Sequence, residues 1–253
     1  MKDSKTAAQQ ALETTVPTPK IGVVPPDMTP GWNIQVFNTA GHKVQLENVG
    51  LIIGHNPKLG VTFTYGLTLG GFDGLQIHET GGGGAVIVPF FLKGGQCYIG
   101  VVEQLRHTQG GHVNNVPRGY RKPGENALEN AVREFNEEVG PDTDKVSVEI
   151  YPLGGSPVNA NSAHYETWGV DEGVKFFTCE ISANALEAQE DGSYAFRADM
   201  LGKIDDERKK EAIFGAKFIP WDQALALNDA FTVVCVARLL AHLHREDLVT
   251  IVI

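Results

Sequence analysis

Short apolar runs broken by Asn, Gly and Pro dominate the first third of the chain. WNIQVF, HKVQLENVGLII and GVTFTYGLTL, rich in β-branched and aromatic residues, predict short strands between 31 and 80. In AVIVPFFLKGGQCYIGVVEQLRH two apolar runs flank Lys93-Gly94-Gly95, which predicts a β-hairpin. The period then lengthens. Leu128, Ala131, Val132, Phe135 and Val139 fall at helical spacing and predict one apolar stripe on a helix over about 126–139. Asn126 with Glu129 three residues on forms a capping box, and Gly140-Pro141 stops the helix. Strands are expected at 145–151 and 174–181, then a polar stretch over 183–211. The strand FGAKFIP leads into a helix from Trp221, and a last apolar helix covers 231–244. Strands outnumber helices and the two are interspersed, which predicts an α/β fold: a mixed sheet with helices packed on its faces.

Composition narrows the class. The chain has 253 residues, 42% hydrophobic, enough for one domain of moderate size with an appendage. Five of the 13 prolines fall in residues 1–30, which read as a flexible tail. Residues 31–83 read as an N-terminal β region, closed by the tetraglycine at 81–84, taken as a flexible joint. Residues 84–253 read as the main domain. No apolar run reaches the roughly 18–20 residues of a membrane helix, and the polar N-terminus is unlike a secretory signal. A net charge of −10 argues against nucleic acid as partner. Cys97, Cys179 and Cys235 are scattered, without metal-ligand spacing, and read as small buried residues in a reducing compartment. A cytoplasmic location is the corresponding expectation.

The candidate chemistry lies in GYRKPGENALENAVREFNEEVGP, residues 119–141. Glu134, Glu137 and Glu138 stand at i, i+3 and i+4 on the side of the helix away from the apolar stripe. They occupy its last two turns, where the macrodipole disfavours negative charge. A cation among them relieves that penalty and their mutual repulsion, and an all-oxygen set suits Mg²⁺ or Mn²⁺. The alternative is a solvated acidic face with Arg133 paired to Glu137.

Gly119, Glu125, Arg133, Glu134, Glu137, Glu138 and Gly140 reproduce the fixed positions of the Nudix box at their proper spacing. At average residue frequencies, such a match arises by chance in about one chain of this length in a million. Phe135 and Pro141 are mild departures. The chain therefore resembles the Nudix hydrolases. The resemblance implies a Nudix-type α/β/α sandwich over about 84–253 and hydrolysis of a nucleoside diphosphate linked to another moiety. It implies that Glu134, Glu137 and Glu138 ligate divalent ions and that Arg133 orients one of them. It further makes Glu125 a supporting carboxylate, has Gly119 admit the metal close to the backbone, and has the Arg118 carbonyl serve as a ligand.

Glu103-Gln104-Leu105-Arg106 is similar to the Gln-aromatic-Arg strand of the ADP-ribose pyrophosphatase branch. By that likeness Gln104, Arg106 and Arg118 bind substrate, Pro157 is the branch's proline marker, and the substrate is ADP-ribose, cleaved to AMP and ribose 5-phosphate. The branch also implies a homodimer through residues 31–80 and a general base in the late loop containing Asp205, Asp206, Glu207 and Glu211, with Glu207 favoured. Trp32, Tyr65 and Trp168 are candidate stacking partners for a base. The chain departs from the branch in reading Asn115-Val116-Pro117-Arg118-Gly119 into the box, with Asn115 where a glutamate is usual. Other nucleotide sugars, dinucleotides, and a Nudix-fold sensor that binds without cleaving are the alternatives.

Overall fold

The structure is a computed structural model that describes residues 36–37, 43–44, 51–56, 60–67, 73–79, 82–106, 111–154, 166–167, 172–203, 213–246 and 248. The proposed tail, Trp32, Pro157, Trp168 and the late-loop acids Asp205, Asp206, Glu207 and Glu211 lie outside the described residues, as does the side chain of Tyr65.

β1 (Val36–Phe37) and β2 (Lys43–Val44) form a short antiparallel pair. β3 (Leu51–Asn56), β4 (Val61–Leu67) and β5 (Asp73–Glu79) form an antiparallel meander. The predicted hairpin follows as β6 (Gly84–Lys93) and β7 (Gln96–Arg106), joined by Gly94-Gly95. Next come β8 (Gly111–Asn115), β9 (Arg118–Tyr120) and helix α1 (Ala127–Glu134), which runs on into a π-helical turn over Phe135–Val139. The remaining strands are β10 (Tyr151–Pro152), β11 (Glu166–Thr167), β12 (Lys175–Glu180), β13 (Leu186–Ala188), β14 (Tyr194–Phe196) and β15 (Ile213–Pro220). Helices α2 (Trp221–Leu225) and α3 (Ala230–Arg245) close the order.

Among the described residues the main sheet has nine strands, in the order β10-β12-β6-β7-β15-β14-β13, with β8 beside β7 and β9 beside β6. It is mixed: β12 runs parallel to β6, and β7 antiparallel to both β6 and β15. Helices cover both faces. Along β6, Val86, Val88 and Phe90 point into one apolar cluster with Cys235, Val236, Leu239 and Leu243 of α3. Ala85, Ile87 and Phe91 point into a second cluster with Ala131, Phe135 and Val139. The two-residue period of a strand thus gives β6 a continuous apolar run, the mark of a strand buried on both sides. The three cysteines are free and buried within these clusters, as the sequence predicts. None of the described helices is long and apolar enough to cross a membrane.

Three expectations are corrected. The strand predicted over 145–151 forms ladder bonds only at Tyr151 and Pro152; Val146, Val148 and Ile150 pack by side chain, without a partner strand. The polar stretch over 183–211 contains the hairpin β13–β14, which extends the sheet. The tetraglycine is no slack joint where it is described. A Cβ on Gly83 would collide with the Gly173 carbonyl and with the Glu79 carboxylate, and one on Gly84 with the Gly119 carbonyl. These residues are bare because backbones and a buried carboxylate meet there. The meander also gains a strand from far along the chain, since β11 pairs in parallel with β5 through Glu166–Gln76 and Thr167–Ile77.

Candidate active site

α1 begins as the sequence predicts. The Asn126 carboxamide oxygen accepts from the Leu128 and Glu129 amides at 2.9 and 3.0 Å, and Glu129 returns a bond to the Asn126 amide at 2.8 Å. The predicted stripe is only half right. Ala131, Phe135 and Val139 are buried, but Leu128 and Val132 are 43% and 41% exposed. Asn130, Glu134 and Glu138 take their place on the buried side, the two glutamates each 3% exposed. The helix therefore turns one flank into the core and a polar flank under β9. The π-helical turn serves this arrangement. Its wider bonding, with the Gly140 amide reaching back to the Phe135 carbonyl, brings residues four apart closer to one line. Glu138 thus follows Glu134 into the interior, and Gly140, at φ 70°, ends the element.

The strand β9 lies directly on this polar flank. The Arg118 amide donates to Glu138 Oε2 at 2.9 Å, and Asn130 Nδ2 donates to the Gly119 carbonyl at 3.0 Å. A Cβ on Gly119 would overlap the Glu134 carboxylate, so this position admits glycine alone without displacing that carboxylate. The resemblance has Gly119 admit a metal close to the backbone; in the structure it is the Glu134 carboxylate that Gly119 approaches.

Arg133 organises the outer carboxylates. Its guanidinium bonds Glu125 Oε1 at 2.7 Å, Glu137 Oε2 at 2.7 Å, the Asn130 carboxamide oxygen at 2.6 Å and the Tyr120 carbonyl at 2.9 Å, and it lies 2.6 Å from Glu134 Oε1. Burial works against its charge, but Glu125, Glu134 and Glu137 more than offset this and hold it firmly protonated. The bond from Arg133 holds the Glu125 carboxyl below its ordinary range, against partial burial. Glu137 Oε1 also receives Lys122 Nζ at 3.2 Å.

This set is all oxygen, partly buried and strongly negative, the chemistry that suits a hard divalent cation rather than zinc. In the arrangement described, its oxygens are held by Arg133, Lys122 and the Arg118 amide. Among the described residues no three carboxylate, histidine or cysteine side chains are arranged to hold a metal ion as they stand. Glu134, Glu137 and Glu138 are the side chains that could hold such an ion, and to do so Glu134 and Glu137 would have to turn from Arg133.

The remaining predicted residues fall around this centre. On β7 the side chains alternate, so Gln104 and Arg106 share the face of Val102, which belongs to the core cluster of Ala131 and Phe135. Leu105 and Glu103 face the other way, where Glu103 bonds His112 Nδ1 at 2.8 Å. Asn115, opposite Val102 in the β7–β8 register, is buried on the α1 side, and its Nδ2 has no hydrogen-bond partner among the described residues. The Arg118 side chain departs from its expected place. Its guanidinium turns to the opposite layer, bonds both oxygens of Asp229 at 2.7 and 2.8 Å, and lies 4.7 Å from the Phe231 ring. Asp229 draws it there, so only the Arg118 backbone faces the glutamates.

Asp229 was not singled out in the sequence, although Asp229 with Thr232 three residues on is an N-cap pattern. Burial pushes its pKa up, but the Arg118 charge and the Thr232 bonds prevail and hold it below the usual carboxylate range. Asn130 was missed for a different reason: a polar residue inside a helix is ordinarily a surface residue.

No protein-family model matches the chain, and no curated protein sequence does. Solved structures similar to it include a Nudix hydrolase from Listeria monocytogenes (16% identity, 67% of this chain and 99% of that one, TM-score 0.40). An ADP compounds hydrolase is 12% identical, with 79% and 94% covered and a TM-score of 0.43. An Ap4A hydrolase from C. elegans is 14% identical, with 64% and 97% covered and a TM-score of 0.37.

Proposed function

We propose that the protein is a Nudix hydrolase that cleaves the diphosphate of a nucleoside diphosphate sugar, ADP-ribose foremost, to AMP and ribose 5-phosphate. One observation carries the reading: Glu134 and Glu138 are buried side by side beneath a glycine strand, in a segment that holds all seven box positions. Two carboxylates buried on adjoining turns of one helix carry a desolvation cost and a mutual repulsion that a divalent cation would offset. Glu134, Glu137 and Glu138 would hold Mg²⁺ or Mn²⁺. When bound, the ions neutralise the diphosphate and make water a better nucleophile.

The chain's own groups supply the rest. Arg133 orients Glu137 and Glu125. The Arg118 amide fixes Glu138. Arg106, with its planar fork of donors, suits a phosphate or ribose oxygen, and Gln104 beside it suits a hydroxyl. Glu207 is the proposed acceptor of the water's proton. The proposed assembly is a homodimer through residues 31–80.

A panel of nucleotide sugars and dinucleotides, with phosphate release followed by a coupled phosphatase with and without Mg²⁺, tests the reading. Metal-dependent turnover, greatest on ADP-ribose, is expected. Turnover greatest on another diphosphate would correct the substrate. A nucleotide that binds and survives incubation with Mg²⁺ would replace the hydrolase with a sensor.

A further inference from the structure

Glu79, the last residue of β5, is an acid only 1% exposed, and it lies outside the box and outside every motif of the sequence. A buried carboxylate is retained only where it is bonded. Its Oε2 accepts from the Gly173 amide at 2.8 Å, across 94 residues of sequence, just before β12. Its carbonyl accepts from the Gly82 amide at 2.7 Å, turning the chain from β5 towards β6. Gly83 is packed so closely against this carboxylate and the Gly173 carbonyl that no side chain fits.

From that turn the contacts lead directly to the box. The Gly83 carbonyl accepts from the Arg121 amide at 3.1 Å, and the Arg121 guanidinium bonds the Gly82 carbonyl. Gly84 pairs with Tyr120 and Ala85 with Gly119, while the Ile87 amide donates to the Pro117 carbonyl at 3.0 Å. Gly119 in turn rests on Glu134, and the neighbouring Arg118 amide holds Glu138. The β9 strand is thus suspended between α1 on one side and the start of β6 on the other. The start of β6 is fixed at its origin by Glu79.

We infer that Glu79 is a positioning residue for the carboxylate centre, setting the height of the β9 strand over Glu134 and Glu138 through the packed glycines 82–84. The N-terminal meander is then part of the frame of the site. This rests on the proposed function in one respect: the centre it positions is taken to bind a divalent metal.

Mn²⁺ alone is the probe, titrated into the full chain and followed by electron paramagnetic resonance of the free ion. Loss of a group that orients metal ligands weakens affinity about 10–100-fold. Glu79→Ala is expected to weaken Mn²⁺ binding at least about tenfold on that scale. Glu79→Gln keeps an oxygen for the Gly173 amide and is expected to stay within about threefold of wild type. In metal-free protein, amide hydrogen exchange over 118–121 should quicken in Glu79→Ala and stay near wild type in Glu79→Gln. Leu240→Ala, on the buried face of α3, provides a destabilised control whose Mn²⁺ affinity should not move.

Wild-type affinity in folded Glu79→Ala, or an equal loss in Leu240→Ala, overturns the inference. Should Glu79→Ala fail to fold, Glu79→Asp keeps the charge and shortens the reach by one methylene, and wild-type affinity there overturns it equally. A wild-type chain that binds no Mn²⁺ overturns the hydrolase reading, and the inference with it. Mn²⁺ bound equally by wild type and variant overturns the inference alone.

Discussion

Arg118 and Asp229, 111 residues apart, meet with one guanidinium nitrogen 2.7 and 2.8 Å from the two carboxylate oxygens. The pair ties the strand over the glutamates to the first turn of α3 on the opposite face of the sheet. Asp229 also accepts from the Thr232 amide at 2.8 Å and hydroxyl at 2.7 Å, and that hydroxyl oxygen accepts from the Val116 amide at 3.0 Å. One carboxylate therefore caps a helix and steadies two residues of the segment leading into the box.

Asp229→Asn should destabilise the protein by about 2 kcal/mol at neutral pH, between the values for exposed and fully buried pairs. Urea unfolding measures it. The pH dependence has a definite sign. The folded-state pKa lies below the ordinary 3.8, so the carboxylate's contribution is fully present above that value and is lost as pH falls through the folded value. The gap between wild type and Asp229→Asn should be constant from neutral pH down to about 5 and shrink below about 4. A gap that widens on acidification would refute the assignment.

Gly119→Ala forces a methyl group onto the Glu134 carboxylate. The expected result is loss of most Mg²⁺-dependent turnover together with a lowered Tm, because either the carboxylate or β9 must move. Unchanged activity and Tm would mean that the close approach has no functional weight.

Glu137→Gln should retain the fold, since Glu137 lies at the rim, and should lower the rate at least about tenfold, the scale of lost metal or acid–base catalysis. Lys122→Ala breaks only a rim contact to the same residue and should change stability by less than about 1 kcal/mol. Steady-state rates with circular dichroism melts separate the two. A fully active Glu137→Gln would remove Glu137 from the metal set.

Asn126→Ala removes the oxygen that caps α1 and should cost about 1 kcal/mol. Chemical denaturation gives the value directly. Asn126→Ser should recover most of it, because a hydroxyl caps nearly as well.

Local chemistry was legible in the sequence. The Asn126–Glu129 box and the Gly94-Gly95 hairpin depend on neighbours within a few residues, and each is found. The Arg133–Glu137 pair, one turn apart, was legible for the same reason. What was not legible depends on contacts between distant parts. Leu128 and Val132 match the helical period as well as Asn130 and Glu134 do. Only the arrival of β9 decides that the polar flank is covered and part of the apolar one is left in water. Val146, Val148 and Ile150 look like a strand, yet pack without a ladder partner. Arg118 beside the box reads as a substrate group until Asp229, on another element, claims its guanidinium.

Cys97, Cys179 and Cys235 are sealed inside the two apolar layers, and burial, with help from the Glu180 charge, pushes the Cys97 thiol up to about 12. At neutral pH these sulfurs are thiols out of reach of maleimides and iodoacetamide. The native fold is thus a chemically silent background. A cysteine introduced at an exposed position such as Phe214 would react alone, so a spin label or fluorophore can be placed without first deleting the native cysteines.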